Sequence, residues 1–421
     1  MRWRFLTLVL LLTAHAAPAF GQGPSYVQDP PKLGKSERAL IRRNVGIAED
    51  AEAAEELEAL KSKPRVWLRA EYLLWWIKPA NFPPLVTTGP YTEPRPGAMD
   101  SLGTSVVFGQ RGMDYQDRSG GRFTLGGWVG DDELWALEAR YFFLKGRSIG
   151  QHFESPGAPI LATPFYNLAT NTADSSLITF PGVMSGSITV DAPSFLQGAE
   201  ANLSGGLVRD ERVRFDLTGG FRYLYLREGL NINAVSLVEL APQFQGLGIP
   251  FDGNTITVSD RFDASNHFYG GQVGARVELH HKRWTLDLDA RVALGVSHQV
   301  VSIAGSTGID TQPATSANGG LLAVSSNSGR FTQNSLAVIP EVGVSLKLRL
   351  TEQLQLFGGY SFLYWSRVAR PGDQIDANVN PNLVPTSMTF GTAGGTNRPA
   401  FSFRQTDFFA HGANFGLEFR Y

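Results

Sequence analysis

The sequence predicts an all-β fold, a transmembrane antiparallel up-and-down β-barrel of about 10 (10–12) strands, with a short N-terminal helix before it. Three observations predict this fold. From residue 65 to the end, apolar and polar residues alternate with a period of two, which is the spacing of strand faces. The connections between the alternating segments are short and long in turn. The last segment is itself an alternating strand that ends in an aromatic residue.

The chain before the barrel divides into two parts. Residues 1–21 have the features of a secretory signal peptide, because two arginines precede a short apolar run at 5–14 and small residues follow it. That run is too short to cross a bilayer as a helix. Residues 22–64 are predicted to be a periplasmic linker and helix, since Ala, Leu and Glu dominate 36–63. Residues 65–421 are then the predicted barrel.

The segment 65–78 shows the strand pattern most clearly. Leu68 and Tyr72 share one face, which is fully apolar, whereas Arg69 and Glu71 point the other way. The same division into an apolar face and a charged face recurs in the segments 121–130, 133–145, 212–226, 283–296 and 336–350, and the lengths of the connections place the other strands. The ten predicted strands are 65–78, 119–130, 133–147, 194–208, 212–231, 264–281, 283–303, 332–350, 353–370 and 406–421.

Two details of the pattern stay open. The segments 182–190 and 254–260 also have strand character, and a hairpin hidden there would raise the strand count to twelve. Pro340 lies on the apolar face of the predicted strand 332–350. Because proline has no N–H to donate to a ladder, we expect a bulge at this residue.

The connections alternate strictly in length. The short ones are 131–132, 209–211, 280–282 and 351–352, and the long ones are 79–118, 148–193, 232–263, 304–331 and 371–405. Short turns on one side and long loops on the other are typical of outer-membrane barrels, as are aromatic residues near the ends of an apolar outer face. The pattern therefore predicts a location in the cell outer membrane, surrounded by outer-membrane lipid, with the long loops extracellular.

The charged faces of the predicted strands are expected to line the lumen. These faces carry Arg69, Glu71, Arg122, Glu138, Arg140, Glu200, Arg214, Asp216, Arg222, Arg276, Glu278, Asp287, Asp289, Arg291, Glu341, Lys347, Arg349, Glu418 and Arg420. One interpretation is a polar pore lining in which opposed charges set a transverse field. The other is a ladder of ion pairs that fills a narrow lumen, because side chains fill barrels of about eight strands and wide channels appear near sixteen.

The end of the chain carries a distinct pattern. Asn414 and Gly416 precede Phe419 and the terminal Tyr421, and the two aromatic residues share a face. This resembles the C-terminal insertion signal by which outer-membrane barrels are recognised. The sequence therefore predicts the barrel-insertion machinery as a partner.

Composition excludes several classes of function. The chain has no cysteine, so disulfides, thiolate catalysis and zinc–thiolate sites are absent. A net charge of −2 gives no basis for nucleic-acid binding. No Ser/His/Asp or HExxH arrangement can be recognised from spacing. We therefore expect no enzymatic activity, no metal site and no cofactor, and the sequence does not define the oligomeric state.

Several long motifs carry a family resemblance. They are AEYLLWWIK with PPLVTTGP (70–90), SGGRFTLGGWVGDDELWALEARYFFL (119–144), LQGAEANL (196–203), GGFRYLYL (219–226), GYSFLYWSRVARPGDQID (359–376) and the closing strand. Together they resemble the beta-barrel porin-7 family of bacterial outer-membrane proteins. The resemblance implies an outer-membrane barrel and brings no catalytic residues with it. The acidic helical segment before the barrel is not part of it.

Two functions follow from these patterns. The first is a porin-like barrel for passive diffusion of small polar solutes, with the charged faces as its lining. The alternative is a plugged barrel with a structural or surface-interaction role through its long extracellular loops, which are rich in Pro, Gly, Asn, Ser and Thr. A barrel enzyme is the least favoured hypothesis.

Overall fold

The computed structural model describes residues 65–130, 134–245, 249 and 251–421. The predicted signal peptide (1–21) and the predicted linker and helix (22–64) lie outside the described residues. Within these ranges no helix is long and apolar enough to cross a membrane. Ten long strands dominate the described part: β1 Val66–Ile77, β2 Arg118–Val129, β3 Trp135–Ser155, β4 Met184–Arg209, β5 Val213–Val238, β6 Thr255–His281, β7 Trp284–Ile309, β8 Gly329–Arg349, β9 Leu354–Val368 and β10 Thr406–Arg420.

These ten strands close into one ring. Each pairs antiparallel with its neighbours in sequence, and β10 pairs with β1 over a ladder that runs from Trp67–Arg420 to Ile77–Ala410. Closure matters because an open edge would leave unpaired N–H and C=O groups, which hydrocarbon cannot satisfy. The predicted antiparallel barrel of about ten strands is confirmed.

Several strands run further than the sequence pattern indicates. β4, β5, β6 and β7 are 26, 26, 27 and 26 residues long, whereas about 9–11 residues suffice to cross a bilayer. The segments 182–190 and 254–260, considered above as an extra hairpin, overlap the start of β4 and the start of β6. The ring therefore keeps ten strands, and the extra length projects beyond its apolar band.

Pro340 does not produce the expected bulge. The register between β7 and β8 passes through the pair Val292–Pro340 without a shift. On the side of β8 that faces β9, the ladder begins only at Glu341. Before that point the N–H of Val338 donates to Ser366 Oγ and not to a backbone carbonyl of β9. Pro340 therefore lies just beyond the end of the β8–β9 ladder, so its lack of an N–H removes no hydrogen bond from that ladder.

The outer face of the ring is apolar over a band and polar beyond it. On β5, Leu217 and Phe221 are 47% and 50% exposed. The ring of Tyr225 lies 4.6 Å from that of His267 on β6, near the end of this band. The next outward-facing residue of β5 is the exposed Arg227. An apolar belt ended by aromatic side chains is the surface that outer-membrane barrels present to lipid.

The long connections fold together over one end of the ring. A small sheet combines Val86–Thr88 and Ser105–Phe108 from the β1–β2 loop, Ala162–Asn167 and Thr172–Leu177 from the β3–β4 loop, and Asn378–Val379 from the β9–β10 loop. Three loops that are distant in sequence are therefore tied by backbone hydrogen bonds. The other short elements are the strands Ala80–Asn81, Gly112–Met113 and Thr315–Asn318 and the 3-10 turns Pro242–Phe244, Pro371–Gln374 and Pro381–Leu383.

Candidate functional site: the barrel interior

Most of the charged side chains that the sequence places in the lumen are buried in the structure. Fourteen of the nineteen are at most 7% exposed: Arg69, Glu71, Arg122, Glu138, Arg140, Glu200, Asp216, Arg222, Glu278, Asp287, Arg291, Glu341, Lys347 and Glu418. Arg214, Arg276, Asp289 and Arg420 are half-buried. The prediction that Arg349 lines the lumen is wrong. Arg349 is exposed, and its guanidinium donates to the carbonyl of Lys282 in the β6–β7 turn. It is the last residue of β8, so it lies at the rim and not inside.

The charged side chains meet across the lumen. Arg140 on β3 and Glu341 on β8 are five strands apart in the ten-strand ring, so they project from opposite walls. Their Nη1 and Oε1 atoms are nevertheless 3.9 Å apart. Arg222 on β5 joins Glu341 to Glu200 on β4, because its Nη2 donates both to Glu200, at 2.8 Å, and to Glu341. The lumen is therefore bridged by side chains at this level.

Glu200 is the centre of this bridge. Its two carboxylate oxygens accept hydrogen bonds from Arg222 Nη2 at 2.8 Å, Arg291 Nη1 at 2.7 Å and Gln272 Nε2 at 2.8 Å. These donors come from three different strands. A buried carboxylate needs such partners, because removal of a charge from water costs several kcal/mol unless pairing and hydrogen bonds compensate it.

A second group of ion pairs lies nearer the short turns. Lys347 Nζ is 2.8 Å from a carboxylate oxygen of Glu278 and 2.8 Å from one of Asp287. Arg69 Nη2 donates to Glu418 at 2.6 Å, and this pair joins β1 to β10 where the ring closes. Ion pairs thus connect neighbouring walls as well as opposite ones.

A cavity of about 140 Å³ opens below this network at the short-turn end. Trp67, Trp128, Asp216, Arg276 and Arg420 are among the side chains that line it. Water occupies about 30 Å³ per molecule in the liquid, so the cavity has room for a few waters. The buried ion pairs of Glu138, Glu278 and Glu418 lie at the upper end of this cavity.

The half of the interior nearer the long loops has the opposite character. Beyond Arg222, the inward face of β5 continues with Leu224, Leu226, Leu230 and Ile232, each at most 3% exposed. The loops contribute buried apolar residues to the same cluster, among them Phe82, Leu85, Leu161, Leu322, Ile375 and Val384. Strand and loop side chains therefore build a hydrophobic core inside the barrel. These positions were not among the predicted lumen residues, although the inward alternation of β5 continues past Arg222 and includes Leu224, Leu226, Leu230 and Ile232.

One ion pair lies within the apolar half. The guanidinium of Arg370 donates to both carboxylate oxygens of Glu228, at 2.7 Å each, and Arg370 also donates to the carbonyl of Pro79 at 2.7 Å. A bidentate pair of this kind is geometrically specific. It joins β5 to the start of the β9–β10 loop and to the β1–β2 loop, so it holds two loops against the wall. Glu228 shares the inward alternation of Arg222 but was not among the predicted lumen residues.

The residues of the predicted insertion signal divide between the two faces of β10. Asn414 is buried, accepts a hydrogen bond from Trp75 Nε1 at 2.7 Å and donates to Ser361 Oγ at 2.6 Å. Phe419 and Tyr421 are exposed on the outer face. Gly416 shares the inward face of β10 with Asn414 and pairs with Glu71 in the closing ladder. Recognition by the insertion machinery remains a prediction.

Acidic side chains at the long-loop end bind protein groups. Asp376 accepts hydrogen bonds from the N–H of Ala400 at 2.9 Å and from Arg398 Nη1 at 2.8 Å. Burial acts to raise the pKa of Asp376, but these donors and Asn378 outweigh it and hold the pKa below its ordinary value. Within the described ranges, no three or more His, Asp or Glu residues are grouped to hold a metal ion.

A closed antiparallel ring with an apolar outer belt and a polar interior is the architecture of outer-membrane barrels. A family model described as "Putative beta barrel porin-7" matches residues 67–421, most of the chain. The chain belongs to this family. Its membership in porin-7 places the protein in the cell outer membrane, as the sequence predicts, with lipid around the apolar belt. The short turns are then periplasmic and the long loops extracellular.

Solved structures that resemble this porin-7 member are outer-membrane barrels of low sequence identity. The outer membrane protease OmpT from Escherichia coli is 7% identical, with 86% of this chain and 98% of that chain covered and a TM-score of 0.40. A Pseudomonas aeruginosa FadL homologue is 9% identical, with 86% and 90% covered and a TM-score of 0.22. Similarities this distant carry no argument about activity. No curated protein matches the chain.

Proposed function

We propose that this protein is a closed outer-membrane barrel that acts at the cell surface through its folded extracellular loops. The observation that carries the proposal is the contact of Arg140 with Glu341 from the opposite wall, at 3.9 Å, with Arg222 between Glu341 and Glu200. Side chains that meet across a lumen leave no path for a hydrated solute at that level. The apolar cluster blocks a second level above it.

The loops support the surface role. Segments of three loops share one small sheet, and buried Arg370 ties two of them to the wall through Glu228 and the Pro79 carbonyl. Ordering these segments costs conformational entropy, which their buried contacts offset. A fixed loop surface on a rigid scaffold is where barrels and other folds commonly bind partners. The proposed role is binding by this loop surface and includes no catalytic step.

Passive diffusion of small polar solutes is the competing function. The porin-7 family and the charged periplasmic cavity of about 140 Å³ favour it. It would require the Arg140, Arg222 and Glu341 side chains to separate, so that the bridge opens.

Conductance across a planar bilayer tests the proposal. The purified barrel, with folding verified by heat-dependent migration, is added to a bilayer in 1 M KCl beside an open porin as a control for insertion. We expect a flat baseline for this protein. Stable single-channel steps would overturn the closed barrel and support diffusion through the charged lumen.

A further inference from the structure

A second cavity lies on the extracellular side, apart from the charged interior. Its volume is about 300 Å³. The inward faces of the outer ends of β5 and β6 form one wall, with Ile232, Ala234 and Val238 on β5 and Ile256 and Val258 on β6. Segments of the loops cover the other sides. The cavity therefore lies between the strand extensions and the folded loops.

The cavity wall is mainly apolar, and two of its buried polar side chains, Asp260 and Ser236, form hydrogen bonds with the protein. Asp260 accepts hydrogen bonds from the N–H groups of Leu321, Leu322 and Ala323 at 2.8–3.2 Å. Ser236 Oγ donates to a loop carbonyl at 2.8 Å. These contacts fix the wall, and a buried carboxylate satisfied in this way does not require a cation.

A few hydroxyl groups interrupt the apolar surface. The β3–β4 loop contributes Thr163 and Ser176, and the β9–β10 loop contributes Thr386. Pockets that bind small molecules have this composition, with an apolar wall and a small number of polar groups that orient the ligand. A hydroxyl group both donates and accepts hydrogen bonds, so it suits a ligand with one neutral polar group.

The protein's own side chains leave this space open. Ala234 is small, whereas the next inward-facing residue toward the membrane is Ile232. Met388 lines the cavity but is 88% exposed, so it lies at the mouth and does not fill the interior. The volume is about twice the ~150 Å³ of an engineered apolar cavity that binds benzene. A core that is closely packed elsewhere thus keeps a ligand-sized space here.

We propose that this cavity binds a small apolar molecule from outside the cell, with roughly ten non-hydrogen atoms and one neutral hydroxyl, carbonyl or N–H group. Among the described residues that line the cavity none is basic, which disfavours an anionic ligand. This inference goes beyond the surface role proposed above and does not depend on closure of the barrel. Conductance and ligand uptake are separate measurements, so either proposal can fail alone.

The probe for the test is 6-fluoroindole, which has ten non-hydrogen atoms, including its fluorine, and a single N–H donor. Its fluorine NMR signal is followed as the folded full-length barrel in lipid nanodiscs is titrated, with empty nanodiscs as the blank for partition into lipid. We expect saturable, one-to-one binding above that blank. Ala234→Phe, which fills the cavity, should weaken the affinity at least tenfold.

Val235→Phe is the matched control, because Val235 neighbours Ala234 on β5 but lies on the opposite face of the strand. It should keep the wild-type affinity. Val258→Phe, which fills the cavity from β6, replaces Ala234→Phe if that variant does not fold. Wild-type binding no greater than the blank would overturn the proposal, as would equal affinity in wild type and both filling variants. Binding that appears only in Met388→Ala would also overturn it, since Met388 would then be the occupant.

Discussion

The two halves of the barrel interior are filled by opposite chemistries on the same strands. On β5, the periplasmic half presents Asp216 and Arg222 inward, whereas the extracellular half presents Leu226 and Ile232. The difference follows from the connections at the two ends of the barrel, which are short turns on the periplasmic side and long loops on the extracellular side. The periplasmic turns are too short to enter the lumen, so only long side chains such as Arg140 can span it, and their charges must then be paired.

The extracellular half is filled in another way. Its loops are long enough to fold back into the ring, and they bring apolar side chains such as Leu322 and Ile375 against the wall. That half is packed like the core of a soluble domain, and its stability should follow the rules for buried apolar area. Four predictions test this difference, beginning with the largest expected effect.

Removal of Arg222 should have the largest effect. Arg222→Met removes the guanidinium that donates a hydrogen bond to both Glu200 and Glu341, so that these two carboxylates share only the more distant Arg140. Loss of one partner from a buried ion pair typically costs about 3–5 kcal/mol. Urea unfolding of the refolded barrel in micelles should show this loss. Arg349→Met, at the exposed rim, is the control and should change stability by less than about 0.5 kcal/mol; equal effects would mean that the network is not a closed unit.

A cavity created by mutation in the apolar half should lower the free energy of unfolding by somewhat less. Leu226→Ala removes a fully buried side chain from the cluster that joins strands and loops, and such changes typically cost about 3 kcal/mol. The same unfolding measurement applies. Leu207→Ala, 61% exposed near a periplasmic turn, should cost less than about 1 kcal/mol. A negligible effect of Leu226→Ala would show that the extracellular half is loosely filled.

A fall in pH should destabilise the β9–β10 loop before it destabilises the barrel. Because the pKa of Asp376 is held below its ordinary value, this carboxylate contributes stability above about pH 4, the unfolded-chain pKa of aspartate, and loses it as the pH falls further. Asp376→Asn should remove about 1–2 kcal/mol of local stability at pH 7. Proteolysis within 377–403 should then be faster than in wild type. Identical cleavage rates at pH 7 would contradict a role of Asp376 in loop order.

Salt should have the smallest effect. The charges of the periplasmic network are buried, and buried pairs are screened far less than exposed ones. A change from 0.05 to 1 M KCl should therefore shift the stability difference between wild type and Arg222→Met by less than about 0.5 kcal/mol. A large shift would mean that solvent ions reach Glu200 and Glu341, and that the lumen is open to water.

The sequence by itself determined the barrel and the direction of its side chains. Alternation with a period of two sets which face of each strand meets lipid, because a shift of one residue would expose Arg69, Arg140 and Arg222 to hydrocarbon together. The strict alternation of short and long connections determined the antiparallel order and which end carries the loops. These are local properties, so they can be recognised in one segment at a time.

Tertiary structure decided how the lumen is filled. Whether Arg140 reaches Glu341 depends on the ring diameter and on strand stagger, which no single segment encodes. The apolar upper half and the Glu228–Arg370 pair depend on loops that return into the ring from distant parts of the chain. Loop closure and packing between remote segments are long-range properties, so the sequence pattern predicted long loops but not which of their side chains pack against the strands.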